Sequence, residues 1–167
     1  MLVPEAEALV KPFRDQYDPS AAVGVPAHIT LLYPFKPPDE VSDAVLDDLR
    51  GGFARFEPFR FALASIRRFP AVLYLAPEPD DPFRRLTSAI WEWYPETPPY
   101  GGKWPKIVPH LSVANLADGQ QLERIAGEFA RAARQKLPIG ATAAEIALMD
   151  NRSGRWQIRA TFRLGCE

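Results

Sequence analysis

The chain has two histidines in 167 residues, and both sit in the same local pattern. His28 stands two positions before Thr30 in VPAHITLLYPF, and His110 stands two positions before Ser112 in IVPHLSVANL. Residues two apart in an extended strand share a face. Each stretch therefore presents one imidazole beside one hydroxyl, while Ile29, Leu31, Leu111 and Val113 turn the other way into a core. An imidazole with an unperturbed pKa near about 6.5 can be neutral in one copy and protonated in the other. Displacement at phosphorus uses that division: a base beside the attacking water or hydroxyl, and an acid beside the leaving oxygen. The adjacent hydroxyls suit donation to the non-bridging phosphate oxygens, where charge must be held in the transition state. A single histidine in a strand is ordinarily structural; the repetition of the pair is what points to His28 and His110 as an acid–base couple, with Thr30 and Ser112 as phosphate contacts. A zinc site fits poorly, because no cysteine or carboxylate accompanies either histidine at ligand spacing and two ligands are too few. A serine nucleophile fits less well still, since Ser112 lacks the glycines of a nucleophile elbow. Neither a metal nor a cofactor is expected.

The elements that must position these residues follow from periodicity. PEAEALVKPFRDQY reads as a helix opening at Pro4, kinked or shortened by Pro12. AHITLLYPF reads as a strand. In PDEVSDAVLDDLRGGF, Val41, Val45, Leu46 and Leu49 recur at helical spacing, and Gly51 and Gly52 read as the stop. FRFALASIRRF and AVLYLAP are two strands around a turn near Pro70, and DDPFRRLTSAIWEWY is a helix ending at Pro95. The loop PETPPYGGKWPKIVP leads to the strand HLSVANL. The helix DGQQLERIAGEFARAARQK follows, with Leu122, Ile125, Ala126 and Phe129 on one stripe. IGATAAEIALM and RWQIRATFRL close the chain as strands around the turn DNRSG. Both halves thus run strand, helix, strand, turn, strand, with about thirty residues between the motif and the next strand, enough for one helix. Such repeats pack about a pseudo-twofold axis, which would face the two motifs across a shared cleft.

Composition narrows the class. Hydrophobic residues make up 47% and charged residues 25%, as in ordinary soluble domains. Twenty basic against 21 acidic residues leave a net charge of -1, which argues against a duplex-DNA surface and leaves room for a small anionic ligand. Cys166 is the only cysteine, so neither an intrachain disulfide nor a cysteine metal site is available, and a reducing cytoplasm is the expected compartment. No positively charged leader opens the sequence, and no apolar run approaches the roughly 20 residues of a membrane span. The 18 prolines are scattered at element boundaries and mark many short elements.

The two copies of H-x-[TS], His28-Ile29-Thr30 and His110-Leu111-Ser112, about eighty residues apart with these flanks, resemble the two-histidine (2H) phosphoesterase superfamily, particularly its 2'-5' RNA ligase-like branch. The resemblance spans nearly the whole chain, including GRWQIRATFRLG. It implies an α+β fold, bilobal and pseudo-symmetric, in which two small, largely antiparallel sheets with outer helices surround a central cleft. It also implies one domain over 1–167 made of two interleaved lobes, each supplying one motif. By the same resemblance, the activity is a metal-independent phosphodiesterase that opens 2',3'-cyclic or related phosphates on nucleotides or RNA ends, in RNA processing. The partner is then a small nucleotide or RNA-end cyclic phosphate. A non-catalytic module that binds phosphate or RNA ends, and a 2'-5' RNA ligase, are the alternatives. The first strand of the family is normally longer than MLV, so the sequence leaves an edge strand in doubt. Nothing in it fixes the oligomeric state, and a monomer is compatible.

Four further residues are candidates for substrate contact. In RWQIRATFRL, alternation puts Arg159 opposite the apolar face, where it either meets phosphate or solvates the sheet. Tyr74 shares a face with Val72 and Ala76, either lining the cleft or packing in the core. Phe35 follows the first motif. Trp104, between glycines and lysines in YGGKWPK, is placed to stack on a base or to plug a loop.

Overall fold

The computed structural model describes residues 1–165, so Cys166 lies outside the described residues. The elements in order are α1 (Pro4–Tyr17), the one-turn α2 (Pro19–Ala22), α3 (Asp43–Phe53), β1 (Phe59–Arg68), β2 (Val72–Glu78), α4 (Asp81–Trp93), β3 (Leu111–Asn115), α5 (Gly119–Ala133), β4 (Ile139–Ala143), β5 (Glu145–Asp150) and β6 (Gln157–Arg163). Pro4 and Pro19 open their helices, where a missing N–H costs nothing. The Asp118 carboxylate caps α5 by accepting from the N–H groups of Gln120 and Gln121.

Several local expectations change. Helix α1 runs through Pro12 to Tyr17. Gly51 and Gly52 lie inside α3 and do not stop it. The run IGATAAEIALM is two strands, because its first part pairs with β1 and its second with β6, the switch falling at Ala144.

All strand pairs are antiparallel. One sheet has the order β3-β2-β1-β4, and the other is the β5-β6 hairpin. Helix α1 packs against β3 and β4, α5 against β2 and β3, and α3 against β6. Partners are therefore exchanged between the halves of the chain: β3 of the second half pairs with β2 of the first, and α3 of the first half rests on β6 of the second. The core between these layers includes Val3, Leu63, Leu75, Leu111, Val113, Ile125 and Phe129, all fully buried. Each such side chain stabilises the fold by roughly 1.5–3 kcal/mol relative to exposure. Among the described residues no helix is long and apolar enough to cross a membrane.

Candidate functional site

The first motif is held without a regular strand. Leu2 forms an isolated antiparallel bridge with His28, supported by Ile29 N–H to Met1 C=O at 2.8 Å and Val3 N–H to Ala27 C=O at 2.9 Å. The three-residue stretch MLV is thus the edge partner of the motif. Other backbone groups that a longer ladder would need are taken by side chains. Glu7 accepts from Ala27 N–H at 2.6 Å, Arg14 donates to Val25 C=O at 3.0 Å, and the Thr87 hydroxyl donates to Leu31 C=O at 2.7 Å. Glu7 and Arg14 stand two turns apart on α1, so one helix face grips the approach to His28 twice. Arg14 is itself buried and paired with Asp18 at 3.0 Å. A buried charge of this kind is tolerable because it is paired with a carboxylate and hydrogen-bonded to Ser20 and Val25 besides.

The second motif sits at the start of β3. His110 precedes the strand by one residue, and Ser112 lies within it, in register with Tyr74 of β2. As the alternation requires, Ile29, Leu111 and Val113 are fully buried, Leu31 is nearly so, and the histidines and hydroxyl residues are half-buried on the other side.

Both imidazoles are oriented by the same device. His28 directs Nδ1 to Pro26 C=O at 2.9 Å, and His110 directs Nδ1 to Val108 C=O at 2.7 Å. A carbonyl only accepts, so Nδ1 carries the hydrogen in each ring and Nε2 is the nitrogen left for chemistry. His28 Nε2 lies 3.1 Å from the Thr30 hydroxyl. The His110 ring is walled by aromatics: Tyr74 at 5.4 Å and Phe69 at 5.2 Å between centroids, with Phe69 stacked on Tyr74 at 4.4 Å. Burial pulls the His28 imidazole down to about 4 and holds the His110 imidazole below its ordinary value.

The flanks of the two motifs converge on α4. Thr87 holds Leu31 C=O, three residues after His28, and Arg84 donates to Ile107 C=O at 2.9 Å, three residues before His110. Thr87 and Arg84 are one helical turn apart, on neighbouring positions of one face. A second tie joins Tyr100 N–H to Tyr33 C=O at 2.6 Å.

The remaining candidates fall elsewhere. Tyr74 is buried beside His110. Phe35 sets its ring edge-on to Tyr94 at 5.1 Å and packs onto the core. Trp104 is 60% exposed, with the Lys103 ammonium 5.2 Å from its ring centre. Arg159 directs its guanidinium to Pro38 C=O at 2.6 Å and to Val41 C=O, with Asp150 at 3.6 Å, so it ties the 36–42 loop to the β5-β6 hairpin. Two groups of residues were not singled out in the sequence: the α1 pair Glu7 and Arg14, and Tyr100, whose N–H ties the loop before the second motif to Tyr33. Glu7 and Arg14 carried a faint signal, a seven-residue spacing on one helix face; Tyr100 carried none beyond its place in a glycine-flanked loop. Among the described residues no three His, Cys, Asp or Glu side chains gather as a group able to hold a metal ion.

Comparison with known proteins follows the same geometry. A family model described as the 2'-5' RNA ligase superfamily matches residues 2–155. The chain belongs to that superfamily. Among its relatives is a Bacillus cereus protein named "Putative phosphoesterase", 26% identical over 157 residues, covering 91% of this chain and 86% of the relative. A Bacillus pumilus relative of the same name is 26% identical over 160 residues, covering 93% and 88%. The crystal structure of LigT of E. coli with NADP+ superposes with a TM-score of 0.61 at 16% identity, covering 99% of this chain and 94% of LigT. A structure described as a phosphoesterase reaches 0.62 at 16% identity, covering 99% and 95%. These likenesses show that the mixed fold, with its antiparallel sheets, is that of the LigT-like members of the 2'-5' RNA ligase superfamily.

Proposed function

We propose that the chain is a metal-independent phosphodiesterase that opens 2',3'-cyclic or related phosphates on nucleotides or RNA ends. One imidazole takes a proton from water through Nε2 while the water oxygen bonds to phosphorus. As the bond from phosphorus to one ribose oxygen breaks, the other imidazole gives that oxygen its proton. The product is a phosphomonoester beside a free hydroxyl, and the proton balance closes once the two rings exchange with solvent. Thr30 and Ser112 donate to the non-bridging oxygens as charge builds on them. In the free protein both imidazoles are biased to the neutral form, so the acid partner gains its proton as the anionic phosphodiester arrives and favours imidazolium.

The observation that carries this reading is the matched Nδ1 anchoring of His28 and His110, which leaves two equivalent Nε2 atoms on motifs tied to one face of α4. Superfamily membership and the relatives' naming as phosphoesterases support it. The superfamily's name also raises 2'-5' ligation, in which a ribose hydroxyl of a second RNA end would replace water as the attacking group while the same ring bond breaks.

A substrate panel tests the proposal. Nucleoside, oligonucleotide and ADP-ribose-derived cyclic phosphates are offered with and without chelator, and phosphorus NMR assigns the product. Chelator-resistant ring opening, lost in His28→Ala and His110→Ala, is expected. Tight nucleotide binding with no turnover across the panel would instead identify a binding module, and joining of RNA ends without hydrolysis of the cyclic phosphate would identify a ligase.

A further inference from the structure

His28 takes its orientation from the Pro26 carbonyl, and that carbonyl is itself held from behind. Pro26 C=O and Ala27 N–H belong to one trans peptide unit, so the two groups point in opposite directions from a single plane. On one side the His28 Nδ1–H donates to the carbonyl at 2.9 Å. On the other side the Ala27 N–H donates to Glu7 Oε1 at 2.6 Å. The peptide thus lies between a carboxylate and an imidazole, hydrogen-bonded to both. The preceding unit is held from the same helix, since Arg14 donates to Val25 C=O at 3.0 Å, and the Pro26 ring fixes φ between the two planes. Pro26 C=O therefore has little freedom to turn away from the imidazole.

The arrangement has an electronic consequence as well. A carboxylate accepting from a peptide N–H makes a charge-assisted bond, and hydrogen bonds in series polarise one another, so the carbonyl at the far end of the same unit becomes a stronger acceptor. Burial draws the His28 imidazole down to about 4, and the bond to Pro26 C=O is the foremost influence opposing it. The second motif cannot be built this way. His110 anchors on Val108 C=O, and the nitrogen of that peptide unit belongs to Pro109, which has no hydrogen to give. The extra residue between proline and histidine in VPAH, compared with VPH, makes the difference. Helix α1 that carries Glu7 buries its own apolar residues Ala6, Leu9 and Val10 and packs against β3, the strand of Ser112, so the anchor of the first motif rests on the second.

We propose that Glu7 is a positioning residue: through the Pro26–Ala27 peptide it fixes and polarises the carbonyl that orients His28, giving the first imidazole a support that the second lacks. Two substitutions separate orientation from charge. Glu7→Gln keeps an acceptor for the Ala27 N–H without the charge, whereas Glu7→Ala removes both. The Nδ1–H proton of each ring, read by 1H–15N NMR at neutral pH, reports the strength of its hydrogen bond and needs no substrate. The His28 proton is expected to move upfield in Glu7→Gln and further in Glu7→Ala, while the His110 proton stays in place. A His28 proton unmoved in both variants, or His28 and His110 protons that move together, overturns the assignment. If Glu7→Ala does not fold, Glu7→Gln decides alone by the same two outcomes.

Kinetics give the second readout, which rests on the reading of His28 as a working group. Glu7→Ala is expected to lower kcat on a 2',3'-cyclic nucleotide about tenfold with KM nearly constant, the size of one lost hydrogen bond in the working geometry. Glu7→Gln should recover most of that loss, because the peptide plane is held again. With His28→Ala impaired, a wild-type kcat in folded Glu7→Ala overturns the assignment. If His28→Ala turns over substrate as fast as wild type, the proposed function fails while the NMR result on Glu7 still stands.

Discussion

His28 and His110 make the same hydrogen bond, each giving Nδ1–H to the carbonyl two residues before it, Pro26 in one case and Val108 in the other. The reacting nitrogen is thereby set apart from the structural one, and substitutions can separate them. Asparagine places an amide N–H near the position of Nδ1 and nothing at Nε2. His28→Asn and His110→Asn should therefore keep the local fold yet lose turnover by about 10²–10⁴-fold, as severely as the alanine variants. Steady-state hydrolysis of a cyclic nucleotide, alongside circular dichroism, checks both halves. Asparagine variants that retain near-normal rates would show that Nε2 does no proton transfer.

The pH dependence follows from burial. Both imidazoles are held below about 6.5, His28 at about 4, and a pair that needs one neutral and one protonated member is most abundant between the two values. The kcat/KM profile reports free protein, so its optimum should fall on the acid side of about 6.5. Bound phosphate favours imidazolium, so the kcat optimum should lie at higher pH than that of kcat/KM. Coincident optima above neutrality would mean that other groups carry the protons.

The same burial makes the fold acid-labile. The unfolded His28 takes its proton at about 6.5 and the folded one at about 4, so between these values the unfolded chain holds more protons and stability falls as pH drops. The loss begins near the upper value, levels off below the lower one, and is on the order of 3 kcal/mol for this group. Urea unfolding at neutral pH and at about pH 4.5 measures it, and His28→Asn should flatten the dependence. An equally steep dependence in that variant would assign the lability to other groups.

What was legible in the sequence was whatever depends on period. Alternation fixed the faces of Ile29 and Thr30, or of Leu111 and Ser112, because either extended segment or strand obeys the same rule of two. Helical stripes located α3 and α5 for the same reason, and the Asp and Pro that open α4 with Pro95 beyond its end marked that helix. Illegible were features decided by distant partners. AHITLLYPF has strand composition, yet Glu7, Arg14 and Thr87 occupy backbone groups that a ladder would have used. Tyr100 is tied to Tyr33 through a left-handed loop conformation that no periodicity encodes.

Arg159 shows how a cation placed by alternation can be committed elsewhere. Its guanidinium holds two loop carbonyls, Pro38 and Val41, beside Asp150, and is only about one-fifth exposed. Arg159→Ala should then destabilise the fold by about 1–3 kcal/mol, since it leaves those acceptors unpaired, while KM for a cyclic nucleotide changes little. Denaturant midpoints and KM are the measurements. A KM raised tenfold or more with stability unchanged would return the residue to substrate binding.

Gly51 and Gly52 read alike in sequence, as the end of a helix, but inside α3 their surroundings differ. A Cβ on Gly51 would meet no atom within 4 Å, whereas one on Gly52 would lie 2.5 Å from the Trp93 indole. That indole cannot swing away cheaply, because it is wedged edge-on against Phe53 and Phe56. Gly52 is thus required by close approach of α3 to Trp93, and Gly51 only costs backbone entropy in the unfolded chain. Gly51→Ala should stabilise by about 0.5–1 kcal/mol, the usual gain in a helix interior. Gly52→Ala should destabilise by about 1–3 kcal/mol, the usual cost of overpacking. Thermal or urea unfolding of the two single variants gives opposite signs if the helix continues through both positions; equal, near-zero effects would mean that α3 ends before them.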